Sequence, residues 1–241
     1  MKTVTIIQAR IGSTRLPGKV LLPLGDSDVL AYAVARSRSV PGNDETVVAT
    51  SVEEPDNAIE NWCRGREVPC FRGSEEDVLA WYYECAKAYG ADAVIRVTGD
   101  CPFVEYRLSR NLIVEMEARQ WDYISVAGEV PLGIRPEIIS FQALEWIHRH
   151  ATEPRHREHV TYYAVEYEER MRTAKIEAPA DVRHPHLRIT IDTPEDYEVC
   201  RLAAERFAGD LLVPTPAVLA YLNERPDIAA LNANVVLKPV Q

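Results

Sequence analysis

Apolar residues along this chain fall into two alternating patterns. Val4 to Ile7, Thr46 to Ala49, Val68 to Phe71 and Ala93 to Val97 are short, nearly continuous runs, the pattern of strands buried on both faces. Between them Val29, Leu30, Ala33 and Val34, then Ile59, Trp62 and Cys63, then Val78, Leu79, Tyr82, Tyr83 and Ala86 recur at helical spacing. The resulting β-α-β-α-β-α-β order predicts an α/β fold of Rossmann-like type, its mixed, mainly parallel sheet covered by helices on both faces. Ligands of such sheets sit beyond the carboxyl ends of the strands. The polar loop from Gln8 to Lys19 and Asp100, which ends the run Ala93 to Val97, should therefore share one crevice.

The second half is less regular. Tyr123 to Val126 predicts a strand, Ser140 the cap of a helix carrying Leu144 and Ile147, and His156 to Tyr167 a helix. Leu187 to Ile191 predicts a strand running into Asp192. There Thr193 suits an N-cap, Pro194 the first helical position and Asp196 the third, in the shape of a capping box. Pro214 to Pro216 opens a terminal helix. With 241 residues the expected organisation is a single catalytic domain, 1–241, with an insertion for acceptor binding and dimerisation around 121–185.

Composition narrows the function classes. A hydrophobic content of 46% fills a core without help from disulfides, and the five cysteines include no Cys-x-x-Cys pair, so reduced, cytoplasmic thiols are expected. The net charge of −10 argues against a nucleic acid partner, which needs a basic face. The first apolar run is too short for a membrane span. A basic pocket inside an acidic protein remains compatible with all of this.

The first loop supplies such a pocket. Gln8-Ala9-Arg10-Ile11-Gly12-Ser13-Thr14-Arg15-Leu16-Pro17-Gly18-Lys19 combines small residues, which allow close backbone approach, with three cations. Backbone N–H groups can bind triphosphate oxygens while Arg15 and Lys19 neutralise charge growing on a leaving pyrophosphate. It is not a Walker loop, because Gly12 and Gly18 are six apart and Val20 follows Lys19. Asp100 and Asp192 are both expected at strand carboxyl ends, where two carboxylates could hold magnesium together with substrate phosphates. The competing reading is a solvated turn with surface cations and two aspartates that merely cap the adjoining turn or helix.

Five segments carry a resemblance. Ile6 to Lys19 resembles the opening signature of cytidylyltransferases of the spore-coat polysaccharide type, relatives of the synthetases of CMP-Kdo and CMP-sialic acid. Phe71 to Leu79, Arg96 to Pro102, Arg157 to Thr161 and Thr190 to Tyr197 are similar to later segments of the same family, in order, over about residues 4 to 200. The resemblance implies a nucleotide-diphospho-sugar transferase fold, CTP as donor, magnesium as cofactor, and a homodimeric cytoplasmic enzyme that passes CMP to a sugar acid or other small acidic acceptor. It implies that Gln8, Ala9, Arg10, Gly12, Ser13, Thr14, Arg15 and Lys19 line the nucleotide pocket and that Arg72 and Ser74 lie near base or ribose. Arg15, Lys19, Asp100 and Asp192 would be catalytic, the two aspartates as metal ligands.

The chain departs from the family in one place. Gly133-Ile134-Arg135-Pro136-Glu137 places Arg135 where such enzymes often carry an acid, so Arg135 and Glu137 are expected to face the acceptor unless Arg135 is simply a surface cation. His156 and His159 would share one helix face with Arg157 beside it, and Arg157 and His159 are expected either to dock the acceptor or to pair with neighbours such as Glu153 and Glu158. Cys101 reads as packing. Two alternatives stay open, a glycosyltransferase using a nucleotide sugar and a nucleotide-binding regulator without catalysis. The glycosyltransferase lacks support from an Asp-x-Asp pair at Asp100.

Overall fold

The computed structural model describes residues 1–236. In chain order its elements are β1 Thr3–Gln8, β2 Pro23–Leu24, β3 Ser27–Asp28, α1 Val29–Arg38, β4 Glu45–Ser51, α2 Asn57–Gly65, β5 Cys70–Gly73, α3 Val78–Ala88, β6 Ala93–Thr98, α4 Tyr106–Arg119, β7 Tyr123–Ala127, β8 Glu137–Ser140, α5 Phe141–His150, α6 Pro154–Glu158, α7 Tyr162–Glu166, β9 Thr173–Glu177, α8 Pro194–Arg206, α9 Thr215–Glu224 and α10 Pro226–Ala229. One seven-stranded sheet runs β5-β4-β1-β6-β8-β7-β9, and β2 and β3 form a small antiparallel pair. The strands β5, β4, β1 and β6 are parallel, whereas β8 runs antiparallel to both β6 and β7. Sheet direction is therefore mixed but mainly parallel, as the apolar pattern predicts.

Period-two geometry explains why the runs are continuous. Val4 and Ile6 of β1, Val47 and Ala49 of β4 and Val94 of β6 pack in one cluster with α3 and α5, while Ile7, Val48, Ala93, Ile95 and Val97 pack in another with α1, α2 and α4. Both faces are covered, so neither can be polar. A third cluster joins α8 and α9 to Tyr32, Phe103, Ile189 and Ile191 and covers one flank of the sheet.

Three expectations change. Leu187 to Ile191 is extended but is not a strand of the sheet. It makes an isolated bridge, Leu132 with Arg188, and Ile191 N–H donates to the Asp100 carbonyl at 2.9 Å. Its apolar residues are buried in the cluster with α8 and α9, not by a ladder, which reproduces a buried strand's pattern. The segment His156 to Tyr167 is two short helices, α6 and α7, broken where Val160 adopts a positive φ of 24°. Elements beyond those expected, chiefly β8, β9 and α4 with the short β2, β3 and α10, complete the architecture; β9, Thr173-Ala174-Lys175-Ile176-Glu177, lacks a continuous apolar run.

Arg36 of α1 locks this third cluster in place. It is fully buried and its hydrogen bonds go to neutral acceptors, the carbonyls of Val104 at 2.8 Å, Val213 at 2.7 Å and Leu211 at 3.3 Å, and Thr215 Oγ1 at 2.5 Å. Its guanidinium also lies 5.2 Å from the Tyr106 ring centroid. Burial pulls its pKa down to about 10, offset in part by Glu105. One side chain thus satisfies carbonyls of two loops that no sheet or helix bond reaches.

Candidate active site

The crevice forms where β1 and β6 end side by side. Gln8 pairs with Thr98, and beyond that register Gly99 N–H donates to the Gln8 carbonyl at 2.7 Å. A Cβ on Gly99 would lie 3.1 Å from Ala9 Cβ and 3.2 Å from the Gln8 carbonyl, so the two loops approach this closely only around glycine. The first loop then curls back on itself. Gly18, with φ +70°, donates its N–H to the Ile11 carbonyl at 3.0 Å, and Asp56 Oδ1 accepts from Ile11 N–H at 2.7 Å.

A cavity of about 380 Å³ lies against that loop, lined by Gln8, Ala9, Arg10, Gly12, Ser13, Thr14, Arg15, Lys19, Val20, Thr98, Asp100 and Glu158. Every loop residue expected to contact nucleotide is in this lining. Of these lining residues, Lys19 contacts Asp100 Oδ2 at 2.5 Å and, outside the lining, Asp192 Oδ1 at 2.9 Å, and Arg15 Nη2 contacts Asp192 Oδ1 at 3.0 Å. The two aspartates, 92 positions apart, meet on one cation. Burial pushes the Lys19 pKa down, but the two carboxylates outweigh it and leave it raised. Burial pushes Asp192 up, and Lys19, Arg15 and Arg188 together hold it below its ordinary value.

Arg188 is the residue that sequence reasoning passes over. Buried, it donates from Nη2 to Asp192 Oδ2 at 2.7 Å and from Nε to Asp196 Oδ1 at 2.7 Å, and Asn232 Nδ2 bonds both the Arg188 carbonyl at 3.0 Å and Asp196 Oδ1 at 2.9 Å. Asp196 also closes the capping box with Thr193. The available signal is a lone cation inside the apolar run Leu187 to Ile191. Gly133, with φ +100°, passes so close to this segment that a Cβ would sit 2.6 Å from Thr190 N, which fixes where Asp192 emerges.

The remaining expected residues lie elsewhere or are already engaged. Arg72 holds the turn after β4, donating to the Ser51 carbonyl at 2.8 Å and pairing with Glu60 at 2.7 Å, and Ser74 accepts through its carbonyl from the Trp81 indole. Arg157 pairs with Asp77 and donates to the His148 carbonyl at 2.8 Å. Arg135 is exposed and donates to the Gly128 carbonyl at 2.8 Å. His159 is half-buried, and burial together with Arg96 and Arg10 outweighs Glu158 and keeps its imidazole below the ordinary value. Burial pushes the Cys101 thiol up to about 12, which leaves it a packed thiol beside Asp100.

Glu137 anchors a polar cluster of its own. It pairs with Arg96 at 3.1 Å and accepts from Tyr123 at 2.6 Å and Thr161 at 2.7 Å. Burial raises its pKa, but Arg96, Tyr123 and Thr161 outweigh that and hold it below the ordinary 4.5. A carboxyl depressed by folding contributes stability that is complete above 4.5 and is lost as pH falls through its folded value. In urea titrations, Glu137→Gln should therefore lag the parent at neutral pH by a margin that closes on acidification below 4.5. A margin unchanged down to about pH 3 would contradict the cluster's ionic character.

The mixed, mostly parallel seven-stranded sheet with its helices has the nucleotide-diphospho-sugar transferase fold. More specifically, the chain belongs to the cytidylyltransferase family, whose model matches residues 4–214. It is 38% identical over 229 residues to the spore coat polysaccharide biosynthesis protein SpsF of Bacillus subtilis, covering 93% of this chain and 95% of that one. A 3-deoxy-manno-octulosonate cytidylyltransferase of Agrobacterium fabrum is 33% identical over 133 residues, 54% of this chain and 52% of the relative. Among solved structures, a cytidylyltransferase from Leptospira borgpetersenii superposes with a TM-score of 0.89 at 29% identity, covering 99% and 100% of the two chains. A CMP:2-keto-3-deoxy-manno-octonic acid synthetase complexed with CTP superposes at 0.62 and 19% identity over 86% and 100%, a likeness of fold. No helix among the described residues is long and apolar enough to cross a membrane.

Proposed function

We propose that this cytidylyltransferase moves CMP from CTP to a small acidic acceptor, a sugar acid, and releases pyrophosphate, with magnesium as cofactor. The observation that carries the reading is that Lys19 and Arg15, which line the glycine-loop cavity together with Asp100, both pair with Asp192 as well, Lys19 bridging the two aspartates. The relatives named for 3-deoxy-manno-octulosonate support the sugar-acid acceptor and the base.

The magnesium reading has a structural test. Asp100 Oδ2 and Asp192 Oδ1 already accept from one ammonium, so oxygen donors point at a single cation-sized position, a donor set that suits this hard cation. No described group of three or more His, Cys, Asp or Glu is placed to hold a metal unaided, which fits a cation shared with substrate phosphates. Asp100 and Asp192 would hold magnesium, which when bound supplies charge neutralisation and orientation at the phosphates.

The chain's own groups account for the rest of the chemistry. An acceptor oxygen attacks the α-phosphorus in line, the bond to the pyrophosphate oxygen breaks, and no covalent enzyme intermediate is required, so catalysis is positioning plus charge stabilisation. The loop 8–19 holds the triphosphate, and Arg15 and Lys19 stabilise the charge that grows on pyrophosphate. On the acceptor side, a second cavity of about 410 Å³ adjoins the first through Arg10 and Glu158 and includes Arg157, Glu75 and Thr152. His159, next in sequence to Glu158, has its pKa held below the ordinary 6.5 by burial, which favours the neutral imidazole. We place the acceptor there, with Arg135 and Glu137 outside its contacts. The family resemblance supports a cytoplasmic homodimer, and sedimentation at assay concentration would test the dimer.

The decisive experiment measures pyrophosphate release from each nucleoside triphosphate with magnesium against a panel of keto sugar acids and other acidic acceptors. CTP with one acid acceptor should outpace every other triphosphate by about a hundredfold or more. Equal rates among nucleotides, or nucleoside diphosphate as product from a nucleotide sugar, would remove the assignment.

A further inference from the structure

The four oxygens of the two aspartates are not equivalent. Asp192 Oδ2 is tied to Arg188, which is itself fixed by Asp196 and, through its carbonyl, by Asn232. Asp192 Oδ1 receives both Lys19 and Arg15, two residues that line the cavity. Asp100 Oδ2 receives Lys19 as well, while its Oδ1 has the Cys101 thiol at 3.6 Å. With Asp192 Oδ2 held by Arg188, a cation that bridges Asp192 Oδ1 and Asp100 Oδ2 must take the position that the Lys19 ammonium takes. Two cations cannot share that position, because their mutual repulsion in a half-buried site is not relieved by solvent.

Lys19 is also a lining residue of the cavity that takes the phosphates under the proposed function. It follows the left-handed Gly18 at the start of a single helical turn, and its ammonium sits at the end of a flexible four-carbon stem. We propose that Lys19 and a divalent cation compete for Asp100 Oδ2 and Asp192 Oδ1, and that the triphosphate relieves the competition by drawing the ammonium onto its own oxygens. This rests on the nucleotidyl-transfer reading of the site. Its consequence is an order of assembly: the aspartate pair accepts a divalent cation well only once nucleotide is in place. Lys19 then has two successive partners, carboxylates first and phosphate oxygens afterwards, and its positive charge is never left unpaired in a partly buried position.

Manganese binding to the full-length protein in the absence of nucleotide tests this directly, read by the loss of the free Mn²⁺ resonance in electron paramagnetic titrations. Lys19→Met should bind Mn²⁺ at least about tenfold more tightly than the parent, and Asp100→Asn added to Lys19→Met should abolish the gain. Lys19→Arg, which keeps a cation at the same carboxylates, should stay close to the parent. Where Lys19→Met melts below assay temperature, Lys19→Gln serves in its place. Equal or weaker Mn²⁺ binding in the neutral variants, or a gain that survives Asp100→Asn, overturns the proposal. The two readings fail separately. A parent that turns over CTP while the neutral variants gain no manganese sinks the competition alone, and a manganese gain without pyrophosphate release for any nucleotide and acceptor sinks the reaction.

Discussion

Asp100→Asn and Asp192→Asn are each expected to release pyrophosphate from CTP about 10³-fold more slowly than the parent, in the range for loss of a preorganised electrostatic group at a reacting centre. Asparagine keeps size and shape and removes the charge. Each substitution leaves the Lys19 ammonium with half of its counter-charge and weakens the donor set proposed for magnesium. Asp192→Asn also leaves Arg188 dependent on Asp196 alone. Melting temperatures must accompany the rates, since Asp192 is part of a partly buried ion network. A variant that stays folded and runs within about tenfold of the parent would show that these carboxylates do not act on the reacting phosphates.

The second large effect falls on stability. Arg36→Met keeps the apolar stem and removes all the donors that serve Val104, Val213, Leu211 and Thr215. A buried acceptor left without a donor costs about 1–3 kcal/mol. The parent already bears a cost for burying this cation, visible in a pKa pulled down to about 10, so the losses are not fully additive. With four acceptors losing their donor and the burial cost of the cation relieved, a net destabilisation of about 3–5 kcal/mol is expected. At about 2–4 °C per kcal/mol for a chain of this size, the melting temperature should fall by roughly 10 °C. Arg36→Lys should recover little of it, because one ammonium cannot span carbonyls that a planar guanidinium reaches together. A Met variant melting within about 2 °C of the parent would mean that the carbonyls find other donors.

These residues differ in how far the sequence announces them. The loop 8–19 and Asp100 are legible because each adjoins an apolar run long enough to mark a strand end, and the crevice follows from parallel topology. Asp192 meets Lys19 and Arg15 by a route that differs from the expected one. The extended run before it is buried by helices and not by ladder bonds, and burial alone sets an apolar pattern. Arg36 gives no signal at all, since a charged residue in a helix normally marks the solvent face. Arg72 and Arg135 show the converse. Their cations stand out in the sequence, yet Glu60 and the Gly128 carbonyl already hold them.

Local sequence determined the four parallel strands β1, β4, β5 and β6 with the helices α1 to α3 between them, the sharp entry into α8 through its capping box, and the glycine-bearing loop, because each depends on spacing and backbone preference among near neighbours. Tertiary structure alone decided that Lys19 stands between aspartates 92 positions apart, that Arg188 and Asn232 hold one of them from behind, and that Arg36 is buried. Those outcomes depend on which surfaces meet when the sheet and its flanking helices close, and the charge of a side chain carries no record of the partner it will find.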